Sequence, residues 1–439
     1  MIGRSLLVVA CAACGGGHHH GVDAPPGDAN TDTLPTSSGD PPANAVAIAV
    51  TTNGAPVGNV AVYFQKPDST VELATTTDDR GIAWAVVADG ELVTAIEPPG
   101  APAPRITTFT DVRAGDLLHL DLDPTTPNPQ LTFTLGVPAQ NGAIGYLVHD
   151  SCADSGDQLA IANPAGTDIT VGDCGGGLID FVIVPIDASG AAMPVALYKP
   201  DIAITAGGAV ALTGSYSPVV TASLSYTSVP PSVLDVETYR AVVTPRGRLF
   251  DGTSLALPSG GSASTNDIEP NASGASALTV TTGRPRDLEI SEQSVYELTS
   301  WAAAYSLDMG VQRLPEYATP AAFDANTGAI TWTERAGGIA PNFVRTHITV
   351  HRDALPEGRA WSWRLAGARG AAPTVTFPKL PNEGFDFNPH AGDTIVVDEV
   401  TNAKLAGGYP AIRAHAFDEL AHHLASGVTI VETTYTPEL

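Results

Sequence analysis

Basic residues are scarce in this sequence. It holds 21 Lys and Arg against 47 Asp and Glu, which gives a formal net charge of -26 at pH 7. A chain with this balance repels the phosphate backbone, whose neutralisation drives nucleic-acid binding. The sequence therefore argues against a nucleic-acid partner, and the acidic excess, which is spread along the chain, favours solubility.

Long apolar runs and cysteines are also few. No segment reaches the roughly 18 apolar residues that a membrane-spanning helix needs, so the sequence predicts no transmembrane span. The chain has 4 Cys. Cys11 and Cys14 lie close together near the beginning, and Cys152 and Cys174 lie in the interior.

Familiar catalytic motifs are missing from the sequence. It contains no G-x-S-x-G elbow, no H-E-x-x-H and no G-x-x-x-x-G-K loop. Glu419 and His422 form one E-x-x-H, whereas a carboxylate-bridged di-metal site needs two such motifs. We therefore assign no catalytic, cofactor-binding or metal-binding residue from the sequence, and we expect no cofactor.

The first fourteen residues have the outline of an export signal. Arg4 precedes an apolar run over residues 6–10, and small residues then lead into Cys11 and Cys14. The stretch V-V-A-C ending at Cys11 resembles a bacterial lipobox. The resemblance implies that residues 1–14 are a lipoprotein signal and that Cys11 or Cys14 carries the lipid. A redox pair is disfavoured because no βαβ context surrounds the C-x-x-C spacing; a disordered N terminus with two chance cysteines is the other alternative.

Export decides how the remaining cysteines are interpreted. In an oxidising compartment, Cys152 and Cys174 are the one pair left in the folded part, so we predict that they form a disulfide. The lipid would hold the protein at the outer membrane or cell surface, since more than one acyl chain is enough for stable anchoring. Two free buried thiols are the alternative.

The composition of the rest of the chain favours strands. Gly (44 residues) and Pro (36 residues) are spread among Val, Thr and Ile, a mixture typical of short strands joined by turns. We predict an all-β protein of tandem β-sandwich domains behind a disordered tether. The expected divisions are a disordered linker over 15–44, a β-sandwich over 45–123, a disulfide-containing β domain over 124–230, an uncertain β region over 231–315, and an immunoglobulin-like sandwich over 316–439.

The stretch 45–123 carries the clearest pattern. An apolar strand is followed by G-x-P-V-x-x-V-x-V, a T-T-D-x-x-G turn and another strand, and the residues that carry this pattern are Pro56, Val57, Val60, Val62, Thr77, Asp78, Gly81 and Gly90. The pattern resembles the carboxypeptidase regulatory-like domain, a transthyretin-like β-sandwich. That resemblance implies a spacer or binding module. Within it, Ile82, Trp84 and Val86 share one strand face, and we expect Trp84 to be buried.

The C-terminal stretch 316–439 has a similar rhythm. Seven strand candidates, among them the segment 411–417, fit an immunoglobulin or fibronectin type III-like sandwich. Trp332 and the turn at Leu380 and Pro381 resemble the fibronectin type III pattern. Asp418 is expected to cap one or two helical turns.

Two groups of side chains in this stretch are candidate binding residues. His347 and His351 lie four apart on one strand and share a face, so with His415 or His423 they could meet a metal; solvated histidines are the alternative. Trp361 and Trp363 also share a face, and either core packing or stacking on a sugar would explain them.

Two functions follow as competing hypotheses. The first is a lipid-anchored, non-catalytic surface protein that binds a protein or glycan or serves as a scaffold. The second is an exported hydrolase or metal-dependent enzyme whose site lies within residues 231–439.

Overall fold

The computed structural model describes residues 34–435, apart from short gaps. The gaps are 53, 98–102, 123–129, 152–158, 162–164, 173–176, 245, 270–274, 286–290, 311–313, 316–317, 335–337, 354–358, 383–384 and 419–428. Within these residues the chain is almost entirely strands and turns, so the prediction of an all-β protein is confirmed. No helix in this part of the chain is long and apolar enough to cross a membrane.

The first unit is a sandwich of eight strands. They are β1 (Val46–Thr52), β2 (Ala55–Pro56), β3 (Ala61–Gln65), β4 (Val71–Thr76), β5 (Ile82–Ala85), β6 (Glu91–Ile96), β7 (Arg105–Val112) and β8 (Leu117–Asp121). One sheet contains β2, β1, β5 and β8, with β8 parallel to β1. It packs on the sheet of β3, β4, β6 and β7 through a buried core that includes Ile48, Phe64 and Phe109.

The second unit also has eight strands. They are β9 (Gln130–Gly136), β10 (Gly145–Asp150), β11 (Leu159–Ile161), β12 (Thr167–Gly172), β13 (Leu178–Ile186), β14 (Val195–Ala203), β15 (Ala209–Ala211) and β16 (Ser217–Pro218). They form a sheet in the order β11-β10-β13-β14-β16 and another in the order β12-β9-β15. Phe133 and Phe181 lie in the core between the two sheets.

The third unit includes residues 231–315, the region whose fold the sequence leaves uncertain. Its strands are β17 (Val220–Thr227), β18 (Val233–Thr244), β19 (Gly247–Ala256), β20 (Ala263–Glu269), β21 (Ser276–Pro285), β22 (Ser291–Ser300) and β23 (Ala304–Asp308). The sheet β20-β17-β23 packs on β18, β19, β21 and β22 through a core around Leu224 and Tyr226.

The fourth unit ends the described chain. Its elements are β24 (Ala318–Asp324), β25 (Ala329–Glu334), β26 (Phe343–Arg352), β27 (Arg359–Ala368), β28 (Thr374–Thr376), β29 (Thr394–Lys404), helix α1 (Tyr409–Ile412), a 3₁₀ turn (Arg413–His415) and β30 (Thr429–Tyr435). The strand expected over 411–417 is wrong: this segment contains the end of α1 and the 3₁₀ turn. Gly408 and Pro410 begin a helix there, and Tyr409 and Ile412 are buried against the first core.

One sheet of twelve strands joins three of these units. Its order is β19-β18-β21-β22-β30-β29-β26-β27-β7-β6-β3-β4. All its neighbours are antiparallel except β27 and β7, which pair in parallel between residues 362–366 and 105–109. The first unit therefore continues the same hydrogen-bonded sheet as the C-terminal stretch.

Both faces of this sheet are covered in its middle. Along β3, Val62 and Phe64 enter the first core, whereas Ala61 and Tyr63 enter a second core under the sheet β24-β25-β28. Val60, Val62 and Phe64 alternate with Ala61 and Tyr63 in the pattern of a half-buried strand, yet all five residues of β3 are buried. Residues of the fourth unit cover the face that the isolated pattern leaves to solvent.

The T-T-D-x-x-G turn has a clear structural role. Thr77 Oγ1 accepts a hydrogen bond from Val60 N at 3.0 Å and donates one to the Val57 carbonyl at 2.8 Å. Asp78 Oδ1 accepts from Ile82 N at 3.0 Å, which holds the start of β5. Gly81 has φ +73°, and a Cβ atom there would lie 2.4 Å from the Val50 carbonyl oxygen. These residues thus fix how β5 enters the sandwich.

The side chains of β5 lie on the opposite faces from those predicted. Ala83 and Ala85 face the core and are buried, whereas Ile82 and Trp84 are half-buried and Val86 is 56% exposed. The expectation that Trp84 lies in the core is therefore wrong. Ala83 and Ala85 share the first core with Val62 and Phe64 of β3, and the larger side chains of β5 lie on its other face.

Candidate functional site: a groove beside Trp84

A groove opens along the side of the first unit, between β4 and β5, the edge strands of its two sheets. Its volume is about 810 Å³. Leu73, Trp84 and Val86 form its apolar wall, and Leu73 and Val86 are exposed at 37% and 56%. The ion pair of Lys66 and Glu72, 3.0 Å apart, lies at its polar rim. Exposed apolar side chains beside a few polar groups are typical of ligand-binding clefts.

A short segment before β1, residues 35–38, also lines the groove. Pro35 and Ser37 bond the backbone of Thr76 as a parallel strand would: Thr76 N donates to the Pro35 carbonyl at 3.1 Å, and Ser37 N donates to the Thr76 carbonyl at 3.0 Å. Thr75 Oγ1 also donates to the Pro35 carbonyl, at 2.6 Å. Residues 34–44, which the sequence assigns to the tether, are thus partly bonded to the sandwich.

The same segment also contacts the opposite edge. Trp84 N donates to Ser37 Oγ at 3.3 Å, and Ser37 Oγ lies 3.2 Å from Thr75 Oγ1. Ser37 therefore links the edges of both sheets. The Trp84 indole Nε1 is buried and has no hydrogen-bond partner among the described residues, which costs free energy.

A second polar feature lies on the large sheet, and we call it the charged row. It consists of Arg345, His347, Asp398, Glu399 and Glu432. Arg345 Nε lies 3.2 Å from Glu399 Oε1, and His347 Nδ1 lies 3.5 Å from Asp398 Oδ2. Tyr296 on β22 donates a hydrogen bond to Glu432. The row thus extends across β26, β29 and β30.

Burial and the neighbouring groups shift the pKa values of the charged row in opposite directions. Burial lowers the pKa of His347 and outweighs the attraction of Asp398, which favours the neutral imidazole. Burial raises the pKa of Glu432, although the hydrogen bond from Tyr296 lowers it in part. Burial also acts to raise the pKa of Glu399, but the charge of Arg345 and a hydrogen bond from Thr401 together bring it below its ordinary value.

The predicted histidine group is only partly assembled. His351 is exposed at the far end of β26, beyond His347. His415 instead stacks on His119, with ring centroids 4.4 Å apart, and its Nδ1 lies 3.0 Å from Asp418 Oδ2. Across the described parts of the chain, no group of three or more His, Cys, Asp or Glu side chains is arranged to hold a metal. His423 lies outside the described residues, as do Glu419 and His422.

Trp361 and Trp363 lie in the second core. They are 1% and 0% exposed, and Trp363 Nε1 donates to Thr108 Oγ1 at 2.9 Å, across the junction of β27 and β7. Of the two interpretations of this pair, core packing is the one the structure shows. Neither ring offers a face to a sugar.

Several predicted site residues lie outside the described residues: Cys11, Cys14, Cys152 and Cys174. The disulfide remains a prediction. The strands beside its two cysteines are neighbours, because Asp150 at the end of β10 pairs with Phe181 in β13. Ser151 and Asp180 continue this pairing, with Ser151 N donating to the Asp180 carbonyl at 3.1 Å.

The sequence did not indicate the groove. Trp84 is assigned to the core by alternation alone, and Pro35 is placed in the disordered linker. One signal was present: Leu73 follows Glu72 in a strand whose apolar residues are too few to fill two faces. Which strands are edges depends on pairing between distant segments, so local alternation does not reveal it.

Comparison with known proteins adds little. No protein-family model matches the chain, and no curated protein matches its sequence. Solved structures that it resembles include the Bacillus anthracis TIE protein (11% identity, 61% of this chain and 50% of that chain, TM-score 0.16). Another is a tetra-tandem repeat of a large adhesion protein (12% identity, 82% of this chain and 94% of that chain, TM-score 0.12). A third is an adhesin described as putative from Bacteroides ovatus (9% identity, 57% of this chain and 74% of that chain, TM-score 0.11). The chain spans half the length of the TIE protein chain. At these TM-scores the likeness carries no argument about function.

Proposed function

We propose that this chain is a lipid-anchored cell-envelope protein with a non-catalytic binding role, and that its ligand occupies the groove beside Trp84. The observation that supports this role is the groove itself, in which Leu73, Trp84 and Val86 present apolar surface between the edge strands of two sheets. An exposed apolar surface of this kind is a feature of interaction sites. The groove also lies where the N-terminal segment joins the folded part.

The anchor supports the proposal through the sequence alone. A lipid on Cys11 or Cys14 would hold the protein at the outer membrane or cell surface, with the residues before Leu34 as its tether. The carboxypeptidase regulatory-like resemblance of 45–123, which stays a prediction, also implies a binding or spacer module. A protein or glycan ligand is compatible with both.

The anchor is tested by expressing the complete chain in a bacterial host that lipidates exported proteins. We expect the protein in the membrane fraction, with a lipid mass on the N-terminal peptide at Cys11 or Cys14. Replacing both cysteines by Ser should move the protein to the soluble fraction. An unmodified N terminus that begins elsewhere would refute the anchor.

The binding role is tested by screening the protein against peptide and glycan arrays. Trp84→Ala should remove the signal of every ligand that occupies the groove. Leu255→Ala is the control, because Leu255 is an exposed apolar residue on β19, at the other end of the large sheet from the groove. Ligands that survive Trp84→Ala unchanged would place the binding site elsewhere.

An exported hydrolase is the second candidate function, and the charged row favours it. Burial lowers the pKa of His347 and favours its neutral imidazole, which lies beside Asp398. A general base and the carboxylate that orients it would be arranged in this way. Activity against peptide, ester or glycoside substrates that His347→Ala abolishes and His351→Ala retains would establish it. His351 is the control because it lies on the same strand but is exposed.

A further inference from the structure

Among the described residues, the N-terminal segment bonds the edge of β4 only at Thr75 and Thr76, and no hydrogen bond reaches the backbone of Ala74 from this side. In an antiparallel strand the N–H and C=O of one residue point to the same side, and the side alternates along the chain. Thr76 directs both groups outward to Pro35 and Ser37, so Ala74, two residues earlier, directs its own groups the same way. Thr36 stands opposite Thr76 in this parallel pairing, so the nitrogen of Pro35 faces the Ala74 carbonyl. Because proline has no N–H, it cannot donate a hydrogen bond there.

The edge of β5 faces the same groove. Trp84 N points away from β1 toward Ser37, so the Trp84 carbonyl points the same way. Among the described residues nothing donates to this carbonyl. The segment from Pro35 to Ser37 thus bonds the edge of β4 through its backbone and the edge of β5 through the Ser37 side chain.

The groove fits one extended peptide strand. Leu73 on β4 and Val86, just after β5, line the groove from its two strands, together with Trp84 on β5. Successive side chains of a strand point to opposite faces, so one apolar side chain in every two would meet this wall while its neighbours point to water. Because strand addition uses backbone hydrogen bonds, it suits a cleft lined by two open edges.

We propose that the groove binds an extended peptide segment of a partner protein, which adds as a β-strand beside Ala74 and places a bulky apolar side chain on Trp84. This inference rests on the proposed binding role and names its ligand class. The observation that selects a peptide is continuity: the protein's own residues 35–37 already bond the same edge in strand geometry.

The test uses the complete protein and a capped heptapeptide, Lys-Thr-Val-Thr-Val-Thr-Lys, as the probe. A second peptide has the same side chains but N-methyl groups on alternate residues, which removes the backbone donors along one edge. We expect the first peptide to bind and to slow hydrogen exchange of the Ala74 amide. The N-methylated peptide should bind about tenfold more weakly or worse.

Two variants separate the side-chain contribution from the fold. Trp84→Ala should weaken the heptapeptide by about tenfold or more, since an aromatic anchor is lost. Leu255→Ala should leave the affinity unchanged, because Leu255 lies at the opposite edge of the sheet. Circular dichroism and thermal melting show whether each variant keeps its fold.

The remaining outcomes overturn the inference in distinguishable ways. Equal binding of both peptides, or a glycan ligand that depends on Trp84 with no peptide binding, refutes strand addition and leaves the binding role standing. An Ala74 amide that is protected without any peptide would show that the protein's own N-terminal segment occupies the edge. If neither peptide nor glycan binds in a manner that depends on Trp84, both the inference and the proposed function fail.

Discussion

Two glycines in tight turns, Gly54 and Gly81, differ in why a larger residue would be unfavourable there. Gly54 and Gly81 have φ +71° and +73°, conformations that favour glycine. Nothing lies within 4 Å of a Cβ built on Gly54, whereas one on Gly81 would lie 2.4 Å from the Val50 carbonyl oxygen. The first glycine is required only by its backbone angle, and the second also by close approach of another strand.

We therefore expect Gly81→Ala to destabilise the protein more than Gly54→Ala. Gly54→Ala should cost about 1 kcal/mol in free energy of unfolding, from the backbone angle alone. Gly81→Ala should exceed that by roughly 1–3 kcal/mol, because β1 and the turn must move apart. Chemical denaturation of both variants measures the difference. Equal costs would mean that the contact with Val50 relaxes freely.

At the scale of elements, the charged row gives the sheet a dependence on pH. The folded pKa of Glu432 is raised, so the folded protein holds this proton more tightly than the unfolded chain does. Stability from this group is complete below its ordinary pKa of 4.5 and is lost as the pH rises toward the folded pKa. Glu399 has a lowered pKa and acts in the opposite sense: its contribution is present above pH 4.5 and is lost as the pH falls through its folded pKa.

Glu432→Gln tests this assignment. An amide has the shape of the protonated acid and still accepts the hydrogen bond from Tyr296, but it does not titrate. The decline of stability above pH 4.5 should become shallower in the variant, as measured by denaturation at a series of pH values. Glu399→Gln is the matched control and should instead change the profile below pH 4.5. An unaltered profile for Glu432→Gln would show that Glu432 ionises freely in the folded protein.

At the scale of the whole molecule, the junction of β7 and β27 decides how the units depend on each other. The first core contains Phe64 and Phe109 from the first unit together with Phe343, Tyr409 and Ile412 from the fourth. The parallel pairing of β7 and β27 adds backbone hydrogen bonds across the same junction. We expect the two units to unfold together for this reason.

Trp363→Ala measures that dependence. Trp363 is fully buried in β27 and donates to Thr108 in β7, so its loss should cost about 3–5 kcal/mol. Hydrogen exchange should accelerate in β7 and β6 as well as in β27. Phe133→Ala, in the core of the second unit, is the control and should accelerate exchange within that unit while leaving β6, β7 and β27 unchanged. Faster exchange confined to β27 would show that the first unit is independent.

The sequence by itself determined the strand-rich character of this protein and many of its turns. Turn residues such as Asp78 and Gly81 act through bonds to near neighbours, and alternation of apolar residues reports strands locally. The tertiary structure decided which strands are edges, which faces are covered and which way Trp84 points. Those properties depend on partners far along the chain, such as β27 for β7, and no local pattern contains them. The groove belongs to this second group, because it lies between the edge strands of two separate sheets.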